Sequence, residues 1–262
     1  MKYMIHAVKM LFKSAMQYRS SLLMQVIAQF VMTGGEMLAV VVLLTRFKAV
    51  GHWGAPEIMF FFGVMQATFA LTELFGRGVA AFSGFVGRGE FDSLLLRPRP
   101  LLLQVLCSQL DPRRVGSFSV GLAAMIVAAA RLEIAWTPAN ILLLAEVILC
   151  SVLLTLGLFL VEATVCFFSV KSIEMVNILT YGGRSTCQYP VDVFPRPLEL
   201  LFTYLAPFAL CMHWPVSWIM GKPMAALPAW GYYLVPLAGA VFFVLMARVW
   251  YWGAARYRST GS

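Results

Sequence analysis

Acidic side chains inside long apolar runs are the residues of this sequence whose types and positions could do chemistry. Glu36 lies within the apolar run 21–44, and Glu146 and Glu162 lie within the run 141–170. If these runs cross a membrane, each carboxylate should face protein or water, because an acid is costly in lipid. Such a side chain could attract a cationic substrate, or it could hold water in a path through the membrane. It could equally pair with polar groups of neighbouring helices, and the sequence leaves both interpretations open.

Sequence patterns for the common enzyme and metal chemistries are missing. The only Gly-Lys pair, Gly221-Lys222, is followed by proline, so the sequence has no phosphate-binding P-loop. It has no nucleophile elbow, no HExxH and no pair of catalytic acids. The histidines are far apart, and the five cysteines include no CxxC pair. We therefore expect no catalytic residue and no metal site. The cysteines should be free thiols, although a disulfide between Cys187 and Cys211 stays open.

The composition indicates an integral membrane protein. Of 262 residues, 61% are hydrophobic and only 12% are charged, and the mean hydropathy is +0.81. A soluble domain of this size could not bury so much apolar surface. The net charge is +8, but the basic residues are scattered between apolar runs rather than gathered on one face. They fit an anionic membrane surface, so we expect membrane lipid and no nucleic acid as a partner.

The polar residues around Glu36 form one stripe of the predicted first helix. Gln25, Gln29, Met32 and Glu36 follow one another at helical intervals, which places them on one face. Such a face should contact protein or water rather than lipid. The residues predicted to line a polar path through the membrane are Gln29, Glu36, Glu162, Glu174 and Asn177.

The apolar runs predict an all-α fold with six transmembrane helices. The spans are expected at 21–44, 56–75, 115–130, 141–170, 172–188 and 230–252. Residues 1–19 are amphipathic, with lysines on one side, and should form an interfacial helix rather than a cleaved leader. Because Lys and Arg concentrate in the segments that this topology places inside, both termini are expected in the cytoplasm. Trp53, in the first outer loop, is expected to anchor at the membrane interface.

The second predicted span carries two packing signals. A small-residue face suited to close helix packing consists of Gly63, Ala67 and Ala70. Glu73 and Arg77 are four residues apart at the inner end of this helix. Residues at this spacing are neighbours on a helix surface, so we expect an ion pair between them.

The most polar segment of the chain, 76–100, lies between the second and third predicted spans. It contains four arginines and two acids, and short loops rich in Lys and Arg are retained on the cytoplasmic side. Its apolar residues recur at helical spacing, so it should form one or two short amphipathic helices along the inner surface. Pro98 and Pro100 should end this helical part. We expect the segment to present a fixed structure to something outside the bilayer.

A proline-rich region, 189–228, precedes the last predicted span. Its prolines recur every several residues, which forbids one continuous helix. Non-helical backbone at membrane depth is tolerated only where it is buried in protein or lines water. We therefore predict short re-entrant helices that enter the outer leaflet and return to the same side.

Three short motifs resemble those of one family. The run GEFDSLLLRP at 89–98 is similar to the cytoplasmic signature of six-span permease subunits of ABC-2-type transporters. Further matches are YPV at 189–191 and LAPFA at 205–209, followed by Trp-Pro at 214–215. Their order and spacing agree with that family over nearly the whole chain.

This resemblance implies a function. Such a permease would form the path of an exporter as a dimer, with a second copy or a paralogue, in the cytoplasmic membrane of a bacterium. A separate ABC ATPase subunit would hold ATP and Mg²⁺, so this chain would need no cofactor of its own. The segment 76–100 would be a cytoplasmic coupling helix that receives the motion of the ATPase. The expected coupling residues are Arg88, Glu90, Phe91, Asp92, Leu95 and Arg97.

Two other functions are weighed against this one. A secondary transporter or channel could use Glu36 or Glu162 as a proton or cation site, and would be expected to contain an internal repeat, which the sequence does not show. A lipid-modifying enzyme would need a polar catalytic cluster, which the sequence lacks.

Overall fold

The computed structural model describes residues 9–10, 12–14, 16–47, 49–168 and 176–257. Within these ranges the chain is mostly helical, and its one sheet is a two-stranded hairpin. The hairpin pairs β1 (Ala49–Val50) antiparallel with β2 (Trp53–Gly54). The predicted all-α fold is therefore confirmed. Of the predicted interfacial helix at 1–19, residues 1–8, 11 and 15 lie outside the described ranges.

The α-helices whose bounds the structure describes differ widely in length, and the short ones occur in groups between long ones. In chain order they are α1 (Arg19–Phe47), α2 (Ala55–Ala80), α3 (Phe82–Gly87), α4 (Glu90–Leu95), α5 (Leu101–Leu106), α6 (Arg114–Arg131), α7 (Pro138–Cys166), α8 (Gly183–Cys187), α9 (Arg196–Leu200), α10 (Trp214–Ile219), α11 (Gly231–Leu234) and α12 (Ala238–Ala254). Turns of π-helix lie at Ile178–Gly182, Leu201–Leu205 and Ala209–His213, and 3₁₀ turns at Val191–Val193 and Val235–Leu237.

Five helices in the described ranges are long and apolar enough to cross a membrane. They are Arg19–Arg46, Ala55–Gly87, Arg114–Arg131, Pro138–Cys166 and Gly231–Ala254. A sixth crossing results if Arg196–Leu205 and Ala209–Ile219, which meet at 82°, form one broken span. The chain is therefore a helical membrane protein with five to six such helices.

The region predicted as the fifth span and the re-entrant segment is broken into short helices. Residues 169–175 lie outside the described ranges, and the described part of the helix that follows runs from residue 176 to Cys187. The 82° bend further on contains Pro207, which lacks an amide hydrogen and interrupts a helix. The fifth span at 172–188 and the re-entrant path at 189–228 stay predictions.

Small residues let long helices approach closely, as in the α2–α6 and α7–α12 pairs. A Cβ atom added at Gly121 of α6 would lie 2.8 Å from the backbone nitrogen of Ala67 in α2. One added at Gly63 would lie 2.7 Å from the Gly121 carbonyl oxygen, so this α2–α6 contact is backbone against backbone. In the second pair, a Cβ at Gly239 of α12 would overlap the Cys150 carbonyl group of α7. Between α2 and α7, by contrast, side chains such as Phe69 and Phe159 fill the interface.

One end of the helix bundle carries the hairpin, and we call it the hairpin end. There the Trp53 indole nitrogen donates to both carboxylate oxygens of Asp192, at 3.0 and 3.1 Å. Lys222 Nζ lies 2.5 Å from Glu57 Oε1 beside it. Trp53 is fully buried, so the prediction that it anchors at the membrane interface is wrong. The Trp53–Asp192 contact joins segments 139 positions apart, which local sequence cannot indicate.

The cysteines are all free thiols, so Cys187 and Cys211 form no disulfide. Four of them are buried, at positions 150, 166, 187 and 211. Cys107 is partly exposed, and it follows α5 at the opposite end of the bundle. We call that opposite end, which contains α3, α4 and α5, the short-helix end.

Candidate functional site

The polar segment 76–100 folds so that a short helix, α4, follows α2 and α3 and packs against the short-helix end of the bundle. Gly89 precedes α4 with φ at +68°, a left-handed conformation that costs glycine little and other residues much more. This turn separates α4 from α3, and Pro98 and Pro100 follow it in sequence. The segment therefore contains two short helices, as the spacing of its apolar residues indicates.

The outer surface of this segment carries an ion pair. Arg88 Nε donates to Glu90 Oε1 at 2.6 Å, and Arg88 Nη2 donates to Glu90 Oε2 at 3.1 Å. The hydrogen bonds from Arg88 lower the pKa of the Glu90 carboxyl below its usual value. Both side chains are about half exposed, so the pair is accessible to a partner.

The predicted coupling residues are divided between the two faces of α4. Phe91 is fully buried, whereas Leu95 is 47% exposed and Arg97 is also exposed. Asp92 is partly buried. The structure thus brings Arg88, Glu90, Leu95 and Arg97 to the surface of one short element and directs Phe91 into the protein.

A groove of about 440 Å³ runs beside α4. Its lining consists of Phe85, Glu90, Ser93, Leu94, Arg97, Gln104, Cys107 and Ser108. The Gln104 amide nitrogen donates to the carbonyl oxygens of Leu94, at 3.3 Å, and Arg99, at 3.0 Å. Gln104 is itself buried, so it ties the end of α4 to α5 and gives the groove a fixed wall.

Three residues from three helical segments form a polar triad around Glu36. Glu36 Oε2 accepts a hydrogen bond from Gln66 Nε2 at 2.8 Å and another from Arg184 Nη2 at 2.7 Å. Arg184 Nε also donates to Gln66 Oε1 at 3.2 Å, and its guanidinium lies 5.4 Å from the centre of the Phe69 ring. The Glu36 side chain is 48% exposed on the surface of the single chain. The triad therefore satisfies one carboxylate oxygen and leaves the other side of Glu36 accessible.

The other predicted path residues are not gathered around Glu36. Gln29 donates to Thr33 on the same helix at 3.5 Å, and the Thr33 and Ser117 hydroxyls lie 2.9 Å apart. Glu162 is buried on α7, and its Oε1 atom has no hydrogen-bond partner within the described residues. Asn177 is partly buried. Glu174 lies outside the described ranges.

A buried ion pair links α2 to the start of α6. Arg114 Nη2 lies 2.8 Å from Glu73 Oε1, and Arg114 Nε lies 3.5 Å from Asp111 Oδ2. The side chains of Glu73 and Arg114 are only 2% and 14% exposed. Glu73 therefore pairs with Arg114, and the predicted pairing with Arg77 is wrong for the described chain. Tertiary packing determines the partner of Glu73, because it places Arg114 within hydrogen-bonding distance of the Glu73 carboxylate.

Sequence reasoning missed Gln66 and Arg184 as members of the polar triad. Arg184 lies near the outer end of the predicted fifth span, and it contacts residues within the long helices α1 and α2. Gln66 and Glu73 are seven residues apart on α2, so they share one face with Arg77. This polar face of an otherwise apolar helix is the sequence pattern from which the role of Gln66 could have been predicted.

The fold and the site together define a class of protein. Apolar helices long enough to cross a membrane, with ion pairs between helices and with short helices at one end, make this chain a multi-pass membrane protein. Residues 30–261 match the family described as ABC-2 family transporter protein. The chain therefore belongs to this family and is an ABC-2-type permease. No curated protein and no solved structure shows significant similarity to the chain.

Proposed function

We propose that this chain is the membrane-spanning subunit of an ATP-driven exporter, coupled to a separate ATPase subunit. The observation that carries the proposal is the geometry of α4, which exposes the Arg88–Glu90 ion pair and Leu95 while Phe91 anchors it. A helix held in this way can receive force from outside without being displaced from the bundle. The ATPase would hold ATP and Mg²⁺, because this sequence has no P-loop.

The docking surface for the ATPase would be α4 and the groove beside it. The groove combines apolar walls, such as Phe85 and Leu94, with the charged side chains Glu90 and Arg97 at its surface. Central apolar contacts with a charged rim are typical of protein interfaces. Arg88 and Asp92 would extend the same surface, as the family resemblance implies.

The substrate path would be enclosed by two copies of the chain, or by this chain and a paralogue. In the single chain, α1 is largely exposed, and its polar side chains Gln29 and Glu36 lie partly on that exposed surface. A charged side chain facing lipid is unfavourable, so a second permease or a water-filled path should cover Glu36. Glu162, Glu174 and Asn177 are proposed to line the inner part of this path.

If α4 binds a cytoplasmic ATPase, the orientation of the chain in the membrane is determined. The short-helix end and both termini would lie in the cytoplasm of a bacterium, and the hairpin end would face outward. Arginines cluster in the segment 76–100, and positive charge is retained on the cytoplasmic side.

The orientation and the docking surface can be tested together through Cys107. It lines the groove and is partly exposed, whereas the other four cysteines are buried, so a membrane-impermeant maleimide should label it selectively. We expect labelling in inside-out vesicles and none in intact cells, with a Cys107→Ser variant as the control. Bound ATPase should slow the labelling. Labelling of Cys107 in intact cells would contradict the orientation, and an unchanged rate with ATPase bound would contradict the docking surface.

The coupling itself is tested with the purified permease–ATPase complex. Asp92→Ala and Arg97→Ala should abolish substrate-stimulated ATP hydrolysis while the protein stays in the membrane. Arg131→Ala, an exposed arginine at the end of α6 and far in sequence from α4, is the matched control and should keep the stimulation. Stimulation that persists in the Asp92 and Arg97 variants would count against the proposal.

A transporter driven by an ion gradient is the second candidate. The observation that favours it is the buried Glu162, with one carboxylate oxygen lacking a hydrogen-bond partner in the described residues. Reconstituted vesicles distinguish the two functions. Uptake driven by a proton gradient without ATPase or nucleotide, and lost in Glu162→Gln, would support the gradient-driven transporter and exclude the ATP-driven one.

A further inference from the structure

Five aromatic side chains connect α4 to α3 and to the ends of the long helices α7 and α12, and we call them the aromatic cluster (Phe82, Phe91, Phe167, Trp250 and Tyr257). Phe91 is at its centre. Its ring centroid lies 5.1 Å from that of Phe82, 5.4 Å from Phe167 and 5.0 Å from Tyr257. The Phe82 and Tyr257 rings meet Phe91 edge to face, with interplanar angles of 83° and 88°. This is a favoured geometry for aromatic pairs, and it fixes relative orientation as well as distance.

The aromatic cluster reaches α7 and α12 in particular. Phe167 directly follows α7, Trp250 lies on α12, and Tyr257 follows α12. Trp250 is fully buried, with its ring 5.8 Å from Phe82 and 6.0 Å from Phe167. A displacement of Phe91 would therefore press on Phe167 and Tyr257 at the ends of both helices, because the rings of both residues contact the Phe91 ring.

The backbone connections that join α4 to its neighbouring helices are less able to transmit force than the ring contacts of Phe91. Gly89, in its left-handed turn, joins α4 to α3, and a proline-containing stretch joins it to α5. The buried Gln104 donates one hydrogen bond to the Leu94 carbonyl of α4 and another to the Arg99 carbonyl beyond it, which holds the end of α4 beside α5. On the inward face of α4, the fully buried side chain that contacts the long helices is Phe91.

The packing of the long helices would allow a displacement of Phe91 to move one pair of helices relative to another. The α7–α12 pair is in close contact through Gly239, and the α2–α6 pair through Gly63 and Gly121. Backbone contacts of this kind make each pair a stiff unit. Between the pairs, side chains such as Phe69 and Phe159 form the contact, and side chains can change rotamer as helices slide.

We propose that the aromatic cluster transmits the motion of α4 to the α7–α12 pair and moves that pair relative to the α2–α6 pair. Phe91 is a positioning residue in this scheme, since it acts through Phe167 and Tyr257 on the helices that carry them. The inference rests on the proposed function, in which an ATPase pushes on α4. If the aromatic cluster only stabilised the fold, substituting one of its residues would lower stability but would leave the relative motion of the two helix pairs unchanged.

The motion can be measured by electron paramagnetic resonance with two spin labels in the intact permease–ATPase complex. Leu122 on α6 and Leu245 on α12 are both exposed, so cysteines placed there can be labelled in a background without the native cysteines. Adding ATP and vanadate should shift the Leu122–Leu245 distance distribution in the parent protein. Phe91→Leu should abolish the shift while ATPase binding is retained.

The control is Phe60→Leu, which removes a fully buried ring of α2 outside the aromatic cluster and should keep the shift. Should Phe91→Leu fail to assemble with the ATPase, Tyr257→Leu tests the same contact from the α12 side. A full shift in the Phe91 or Tyr257 variant overturns the inference and leaves the proposed function standing. No shift in the parent protein overturns the ATP-driven function, and the inference with it.

Discussion

Arg184 Nη2 lies 2.7 Å from Glu36 Oε2, although the two residues are 148 positions apart in sequence. Gln66 completes the contact by donating to the same carboxylate oxygen. The Arg184 side chain is mostly buried, so its charge depends on Glu36 for compensation. The pair joins the first long helix to the segment that follows the undescribed residues 169–175, and it therefore positions one wall of the proposed path.

Removing the Arg184 guanidinium should destabilise the protein. We expect Arg184→Gln to lower the free energy of unfolding by about 1 to 2 kcal/mol, because hydrogen bonds to the half-exposed carboxylate of Glu36 are lost. The measurement is reversible unfolding in detergent. The double variant with Glu36→Gln should be less destabilised than the two single effects predict, since the partners are removed together. Glu146→Gln, an acid on α7, serves as the control, and equal effects of Arg184→Gln and this control would contradict the prediction.

Breaking the Glu73–Arg114 pair should cost more, because both side chains are largely buried. Glu73→Gln should lower the free energy of unfolding by about 3 kcal/mol, because the buried Arg114 then keeps only its longer contact with Asp111. Arg113→Gln is the matched control, since Arg113 pairs with Asp111 at a more exposed position. The measurement is the midpoint of thermal unfolding of each variant. The expectation is refuted if the midpoint of Glu73→Gln is as high as that of Arg113→Gln, or higher.

The Glu90 carboxyl should titrate below the usual range of glutamate, because the pKa is lowered by the two hydrogen bonds that Arg88 donates to its ionised form. The pair is therefore complete above the ordinary glutamate pKa and is lost as pH falls through the lowered pKa. Carbon NMR of labelled glutamate can follow this titration. Arg88→Gln should return the Glu90 pKa towards its ordinary value, whereas Arg131→Gln should not. An unchanged Glu90 pKa in Arg88→Gln would show that another group causes the shift.

A larger side chain at Gly121 should separate α2 from α6. A Cβ at this position would lie 2.8 Å from the Ala67 backbone nitrogen, which cannot move without shifting the helix. We expect Gly121→Val to lower the free energy of unfolding by about 2 kcal/mol through overpacking. Gly34→Val on α1 introduces the same side chain where nothing lies within 4 Å, and should be nearly neutral. Similar losses at both positions would indicate that helix propensity, rather than close packing, explains the effect.

The long helices and the short amphipathic helices of the polar segment could be predicted because their signals are local. Runs of apolar residues of sufficient length, and a segment rich in arginine between two of them, need no knowledge of the tertiary structure. The small-residue face at Gly63 and Ala67 likewise predicted close packing, and α6 occupies it. Trp53 failed as an interface anchor because a distant aspartate, Asp192, accepts its indole hydrogen at the hairpin end, where the ring is buried.

The sequence was sufficient to identify a helical membrane protein and to show that the given residues contain no P-loop pattern, because hydropathy and the P-loop pattern are properties of contiguous residues. Only the tertiary structure decided which charges meet. Glu73 pairs with Arg114 rather than with its helical neighbour Arg77, and Glu36 pairs with Arg184. The physical reason is that helix packing sets the distances between charges on different helices, and that packing depends on contacts between residues far apart in sequence.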